Sequence, residues 1–262
     1  MVSEVFKAVV LGIVQGLTEF LPVSSTAHLI LIPWFFGWGG EVNSLIFDVA
    51  LHGGTLVALI ICFYKDWIDM ITGHRKLLYL IIIASIPAGI AGILLSRFAE
   101  HSLRNPLVIA ASLIIVGFIM LIAERYSRAT KDLRNGGITL NDAIIIGVAQ
   151  AVAFIPGVSR SGITITAGLF RELKRVSAAR FSFLLSTPVI LGATLLEGRK
   201  LMKTPALLSP DILAAGFISA FVSGLAAILF LLRFLNRHPL NVFVYYRFIL
   251  AAVILIALRS IG

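Results

Sequence analysis

Cysteine and charge are both scarce in this 262-residue chain. The single cysteine, Cys62, cannot form an intrachain disulfide, so thiol usage says nothing about redox compartment. Charged residues make up 13% of the chain, where soluble domains carry about 25%. Hydrophobic residues reach 59%, with a mean hydropathy of +1.00. These proportions exclude an ordinary soluble globule and predict an integral membrane protein. Acidic residues are the rarer sign: 13 Asp and Glu against 22 Lys and Arg leave a formal net charge of +9. In a soluble protein that excess would suggest nucleic acid. Here the basic residues fall mainly in short loops between apolar runs, so the expected partner is the anionic lipid surface and no nucleic acid is expected. The N-terminus lacks a small-x-small cleavage site, and Glu4, Lys7 and Glu19 interrupt it, so it is expected to remain in the mature protein.

A spanning helix needs about 20 mostly apolar residues. Five runs qualify, at 44–64, 77–97, 106–123, 211–232 and 240–258, and a sixth at 181–197 is slightly short. Two further apolar regions, near 5–36 and 140–170, are interrupted by Pro, Ser and Gly and do not read as simple spans.

Those two interrupted regions resemble each other. GIVQGLTEFLPVSST from Gly12 and GVAQAVAFIPGVSRSG from Gly147 share Gly, Gln and Ser at identical offsets: Gly12, Gln15 and Ser24 match Gly147, Gln150 and Ser159. Pro22 and Pro156 precede the serines, displaced by one residue. Each broken hairpin is followed by three apolar runs. The expectation is an all-α polytopic membrane protein, one membrane domain built of repeat one (1–126), a polar linker (127–137, within SRATKDLRNGG) and repeat two (138–262). Three crossings separate the copies, and three is odd, so the two re-entrant hairpins would enter from opposite faces, as inverted-topology repeats. Lys65, Arg75, Lys76, Arg125, Arg128, Lys131 and Arg134 gather on one side, against Arg97 and Arg104 between them. The richer side should be cytoplasmic, together with Arg171, Lys174, Arg175 and Arg180; Arg199, Lys200 and Lys203 fall outside and break the rule.

Non-helical backbone at membrane depth survives only against protein or a water-filled cavity. A tip reading TEFLPVSSTAH therefore implies a cavity, and Glu19, His28, Asp48, His52 and Arg160 are ionisable groups too costly to leave in lipid without a function. Lone hydroxyls such as Ser112 and Ser219 need no such reading, because serines in membrane helices commonly bond nearby backbone. The first tip gathers acceptor, nucleophile and proton-transfer groups in Glu19, Ser24, Ser25, Thr26 and His28. The second, PGVSRSGIT, offers an anion clamp: Arg160 suits phosphate, Ser159, Ser161 and Thr164 add hydroxyls, and a helix starting near Ser161 would aim free amides at the same anion. Brought together, the tips read as a site for phosphoryl transfer. Asp48 and His52 lie one helical turn apart, able to line the cavity or to pair with each other.

QGLTEFLPVSSTAH and PGVSRSGIT resemble the two signature motifs of the undecaprenyl pyrophosphate phosphatase, or bacitracin-resistance, family of bacterial membrane enzymes, and FDVALHGGT and FSFLLSTP extend the resemblance over nearly the whole chain. The resemblance implies a multi-pass protein of the bacterial plasma membrane that removes one phosphate from undecaprenyl diphosphate, regenerating the lipid carrier for wall polymers. It implies Ser25 as nucleophile, Glu19 as base or metal-associated carboxylate, and His28 as acid-base group and rival nucleophile. Thr26, Ser159, Arg160, Ser161 and Thr164 would hold the diphosphate, with Gln15 and Ser24 beside them. Family activity implies Mg2+ or Ca2+; Gln15 stands where many members have Glu, and Ala27 replaces the more usual Gly, which leaves Glu19 the carboxylate for any metal. The apolar surface would allow a homodimer. Inverted repeats with broken helices also suit a transporter or flippase of a polyprenyl phosphate. A carrier, however, has no need of a serine with acid-base neighbours. A phosphatidic acid phosphatase pattern fails at its second histidine, where Thr166 stands.

Overall fold

Ser3 opens the first helix by accepting a hydrogen bond from the Phe6 amide at 3.2 Å, and Pro22, which has no N–H to donate, lies just beyond its end. The computed structural model describes residues 3–73, 75–102, 105–133, 137–201 and 209–261. Arg104, Arg134 and Lys203, used above for the charge balance, lie outside these residues. The helices in chain order are α1 (Glu4–Phe20), α2 (Ser25–Phe36), α3 (Leu45–Cys62), α4 (Tyr64–Thr72), α5 (Arg75–Ser102), α6 (Pro106–Tyr126), α7 (Leu140–Val152), α8 (Arg160–Phe170), α9 (Arg175–Leu201), α10 (Pro210–Leu235) and α11 (Asn241–Ile261). Among the described residues there is no sheet, only an isolated bridge between Lys131 and Leu173. The chain is an all-α, multi-spanning membrane protein.

Among the described residues, five helices are long and apolar enough to cross a bilayer: Arg75–Leu94, Pro106–Tyr126, Arg175–Arg199, Pro210–Leu235 and Asn241–Ser260. Their outer faces expose Ile86, Ile115, Phe118, Ile249 and Ile256, which suits lipid. Two sequence expectations change. The run at 181–197 is not short, because α9 begins six residues earlier and is 27 residues long; its first turns carry Arg175 and Arg180, held by carboxylates, so hydropathy alone missed them. The run at 44–64 does not continue straight: α3 stops at Cys62, and α4 leaves at 62°.

The two short helix pairs pack into the spanning helices through close backbone approach. A Cβ on Gly12 of α1 would lie 2.6 Å from the Gly216 carbonyl of α10, and one on Gly147 of α7 would clash with the Ala84 carbonyl of α5. Small residues at such crossings let backbones touch, which is how membrane helices gain packing energy without a hydrophobic drive. Behind the first break, Phe20 meets Phe183 edge-on at 5.5 Å, and Phe63 lies 6.0 Å from the same ring. This buried aromatic group joins α1, α9 and the α3–α4 bend.

Candidate active site

Two helix breaks meet. After Pro22 the chain turns through Ser24, which takes φ 77° and ψ 98°, and its side chain accepts from the Ala27 amide to cap α2. After Pro156 and Gly157 (φ 92°), Ser159 takes φ 72° and ψ 116° and accepts from the Gly162 amide to cap α8. A positive φ on a residue with a Cβ costs about 1–3 kcal/mol and persists where surrounding structure imposes it. What it achieves here is local: each helix starts directly at the cavity, so its first unpaired amides are available to an anion.

Glu19 sits between the tips. It is 7% exposed, and its Oε2 accepts from the Ser25 hydroxyl at 2.6 Å and from the Gln15 amide at 3.2 Å. Its Oε1 lies 3.3 Å from Nη1 of Arg160 on the opposite tip. A small cavity of about 30 Å3 is lined by Thr18, Glu19, Ser24, Ser25, Thr26 and His52 on one side and by Ala153, Ser159 and Arg160 on the other. Thr26 and His52 also line a groove of about 570 Å3 that runs past Pro33, Trp34, Trp38 and Asp48. The cavity therefore shares a wall with a groove that has both aromatic and polar sides.

Of the residues singled out from sequence, Glu19, Ser24, Ser25, Thr26, Ser159 and Arg160 converge on the cavity. Gln15 is fully buried behind it and reaches it through Glu19. Ser161 turns to the first tip, donating to the Leu21 carbonyl at 3.1 Å. Thr164 lies one turn into α8, where its hydroxyl bonds back to the Arg160 carbonyl at 2.7 Å and meets Ser182 at 2.6 Å, away from the cavity lining. His52 joins the site; its Nδ1 bonds the main-chain carbonyl of Asp48 at 2.8 Å.

His28 departs from expectation. Its Nδ1 lies 2.7 Å from the Ser24 carbonyl, which can only accept, so that nitrogen carries the proton. In the neutral ring Nε2 is then an acceptor, and Tyr246 donates its hydroxyl to it at 2.6 Å. Neither ring nitrogen meets Ser25, because a bond one helical turn back along α2 turns the imidazole toward α11.

Two residues of the arrangement escaped the sequence reading, and both lie on α11. Tyr246 is one. The other is Arg247, fully buried, which donates to Pro22 O (3.2 Å) on the first tip, to Gly157 O (2.8 Å) and Val158 O (3.2 Å) on the second, and to Ser112 O (3.3 Å) and Leu113 O (3.2 Å) on α6. A guanidinium has five N–H donors in a fixed fork, and here they reach carbonyls at both helix breaks, of Pro22, Gly157 and Val158, as well as two in mid-α6. Arg247 thus pins both tips to one helix. The signal was available: an ionisable residue inside the apolar run 240–258.

A serine hydroxyl held on a buried carboxylate at one helix N-terminus, facing an arginine at another across a cavity inside a polytopic helical protein, is the set of groups that phosphoryl transfer calls for. The comparisons with known proteins agree. Residues 8–253 match the profile described as bacitracin resistance protein BacA. An undecaprenyl-diphosphatase of Thermodesulfovibrio yellowstonii is 57% identical over 252 residues, covering 96% of each chain. Proteins of the same description from Desulforudis audaxviator and Gemmatimonas aurantiaca are each 47% identical, over 262 and 270 residues, covering 97% and 98% of this chain and 98% of each relative. The chain belongs to the BacA bacitracin-resistance family.

Proposed function

We propose that the chain hydrolyses the terminal phosphate of undecaprenyl diphosphate by attack of Ser25. The activity regenerates undecaprenyl phosphate for cell-wall synthesis in the bacterial plasma membrane, and with it bacitracin resistance, in keeping with the family and with relatives that carry this description. The observation that carries the chemistry is the 2.6 Å hydrogen bond from the Ser25 hydroxyl to Glu19.

The diphosphate enters through the groove past Trp34 and Trp38, its isoprenyl chain remaining among the helices. Arg160 and the first amides of α2 and α8 neutralise the phosphate oxygens. Glu19 takes the Ser25 proton as Oγ attacks the terminal phosphorus, and the bond from phosphorus to the bridging oxygen breaks, with its electron pair leaving on undecaprenyl phosphate. Glu19 gives its proton to the departing undecaprenyl phosphate and, ionised again, takes one from the water that attacks the phosphoserine; the bond from phosphorus to Oγ breaks with its electron pair on Oγ, which recovers that proton from Glu19. His28, engaged by Ser24 and Tyr246, acts by positioning the start of α2.

A divalent ion such as Mg2+ or Ca2+ fits only in part. Among the described residues no group of three or more His, Cys, Asp and Glu could form a cage. Mg2+ is often held by one or two carboxylates together with substrate phosphates, and Glu19 suits that pattern. Such an ion would neutralise phosphate charge when bound.

The proposal extends to architecture. Matched serine caps, matched Gly crossings and three helical units after each break support two inverted-topology repeats with re-entrant hairpins, 1–126 and 138–262 around the linker 127–137. The α1 helix packs on α10 of the second half, and α7 packs on α5 of the first. The groups that carry the proposed step, Ser25, Glu19 and Arg160, lie within reach of one another in one chain. The carrier or flippase reading finds no support in the relatives.

The test is phosphate release from undecaprenyl diphosphate in detergent, by wild type and by Ser25→Ala, Glu19→Gln and Arg160→Ala, with and without divalent ions. Release that collapses in all three folded variants is expected. Wild type that is folded, binds the lipid through Arg160 and releases nothing would replace the enzyme with a carrier.

A further inference from the structure

The end of the molecule away from the catalytic cavity carries two adjoining cavities of about 830 and 770 Å3. Two helices fix their position. α3 begins beside the groove, which Asp48 and His52 line, and ends at Cys62 in the second of these cavities. Its 18 residues place those ends about 27 Å apart. α10 starts after Ser209, whose amide bonds Glu41 beside the groove at 2.9 Å, and ends at Leu235 in the first cavity. Arg180 and Leu133 line both, so a single wall divides them.

Cations and hydrocarbon share the lining. Lys174, Arg175, Arg180 and Arg233 face one cavity alongside Leu232 and Leu235. Lys65, Lys76 and Arg180 face the other alongside Leu77, Leu80 and Ile138. Six basic side chains thus meet three lining carboxylates, Asp66, Asp69 and Asp132. Arg175, Arg180 and Lys174 are paired with Glu124, Asp66 and Asp132. Lys65, Lys76 and Arg233 form no ion pair with a described carboxylate, and Nε of Arg180 is buried without a hydrogen-bond partner. The cleft therefore holds positive charge in excess of what its own acids answer.

We propose that this cleft binds the headgroup of an anionic glycerophospholipid of the cytoplasmic leaflet. Basic residues crowd this end, which the positive-inside rule places at the cytoplasm. A lipid phosphate would sit against Arg233 in the first cavity or against Lys76 in the second, with Arg180 between them, while its acyl chains cover the leucine walls. A soluble anion would satisfy the charge and leave those walls in water, and a zwitterionic headgroup would leave the excess charge unanswered.

The experiment is native mass spectrometry of the intact chain released from nanodiscs of phosphatidylcholine mixed with phosphatidylglycerol, for wild type, Arg233→Gln, Lys76→Gln and the double variant. Wild type retains phosphatidylglycerol in preference, and each lost charge weakens retention about fivefold. Phosphate release stays at the wild-type rate, which shows that the variants are folded. Equal retention by the double variant, or no preference over phosphatidylcholine, overturns the site. Displacement by inorganic phosphate assigns the cleft to a soluble anion, and preferential displacement by undecaprenyl phosphate assigns it to the reaction product; either outcome overturns the phospholipid. The retention measurement can be repeated on Ser25→Ala, so its failure is separate from any failure of the catalytic reading.

Discussion

At the first helix break Ser24 takes φ 77° and ψ 98° and caps α2; at the second Ser159 takes φ 72° and ψ 116° and caps α8. A buried glutamine stands nine residues before each serine, Gln15 in one and Gln150 in the other. The side chains around this common backbone then diverge. Ser25 follows the first cap and Arg160 the second, and where Glu19 stands in the first, Phe154 stands in the second. The comparison teaches that the strained serine cap is scaffold: it delivers a helix N-terminus to the cavity, and the residue that follows it decides the chemistry. In the proposed mechanism one tip supplies the nucleophile and base and the other the anion clamp, and neither would be competent alone.

The sharpest way to break the comparison is to remove one serine from each tip. Ser25→Ala removes the attacking group, and the rate of phosphate release per folded molecule should fall on the order of 10⁴-fold or more. Ser159→Ala removes a cap worth about 1 kcal/mol, and the rate should fall about tenfold or less, with a lower melting temperature. Equal losses in the two variants would mean that the tips do not divide the labour. Next in size is Arg160→Lys, which keeps the charge and loses the planar fork. A fall of about 10²-fold in kcat is expected, and an unchanged kcat with a raised KM would reduce Arg160 to an electrostatic attractant.

Arg247→Lys tests what holds the tips in register. A lysine has three donors on one atom and cannot reach carbonyls on both tips and α6 together. Displacing reacting groups by about 1 Å can cost on the order of 10²-fold, so kcat should fall by about that factor with KM little changed. If the purified, folded variant turned over at the wild-type rate, Arg247 would be a packing residue and nothing more.

How much of this was legible beforehand depended on how locally each signal was written. Glu19, Ser25 and Arg160 stood out because polar groups interrupt apolar runs, and the match of Gly12, Gln15 and Ser24 with Gly147, Gln150 and Ser159 tied the two interruptions together. Arg247 was hidden by the reverse circumstance: α11 stays apolar on average around it, and its partners are main-chain carbonyls distant in sequence. The bend at Phe63 and the early start of α9 are tertiary in origin, since Asp66 and Glu124 make Arg180 and Arg175 affordable there. The orientation of His28 rests on Tyr246, 218 residues away, which no local pattern reveals.

The smallest expected effect separates the two glutamines. Gln15 donates to Glu19 Oε2, the same oxygen that accepts from Ser25. Gln15→Leu should leave the carboxylate free to rotate off the serine and lower kcat about tenfold, a loss of roughly the size expected when a hydrogen bond to a buried charged group is removed. Gln150 occupies the matching position, yet its amide meets no hydrogen-bond partner among the described residues, and the counterpart of Glu19 is a phenyl ring. A leucine there exchanges a buried amide for hydrocarbon of similar size, which is nearly neutral when no partner is stranded. Gln150→Leu should therefore hydrolyse undecaprenyl diphosphate at the wild-type rate with an unchanged or higher melting temperature. A loss of kcat equal to that of Gln15→Leu, in a variant that melts normally, would show that the second tip contributes more than a clamp, and the division of labour between the breaks would have to be redrawn.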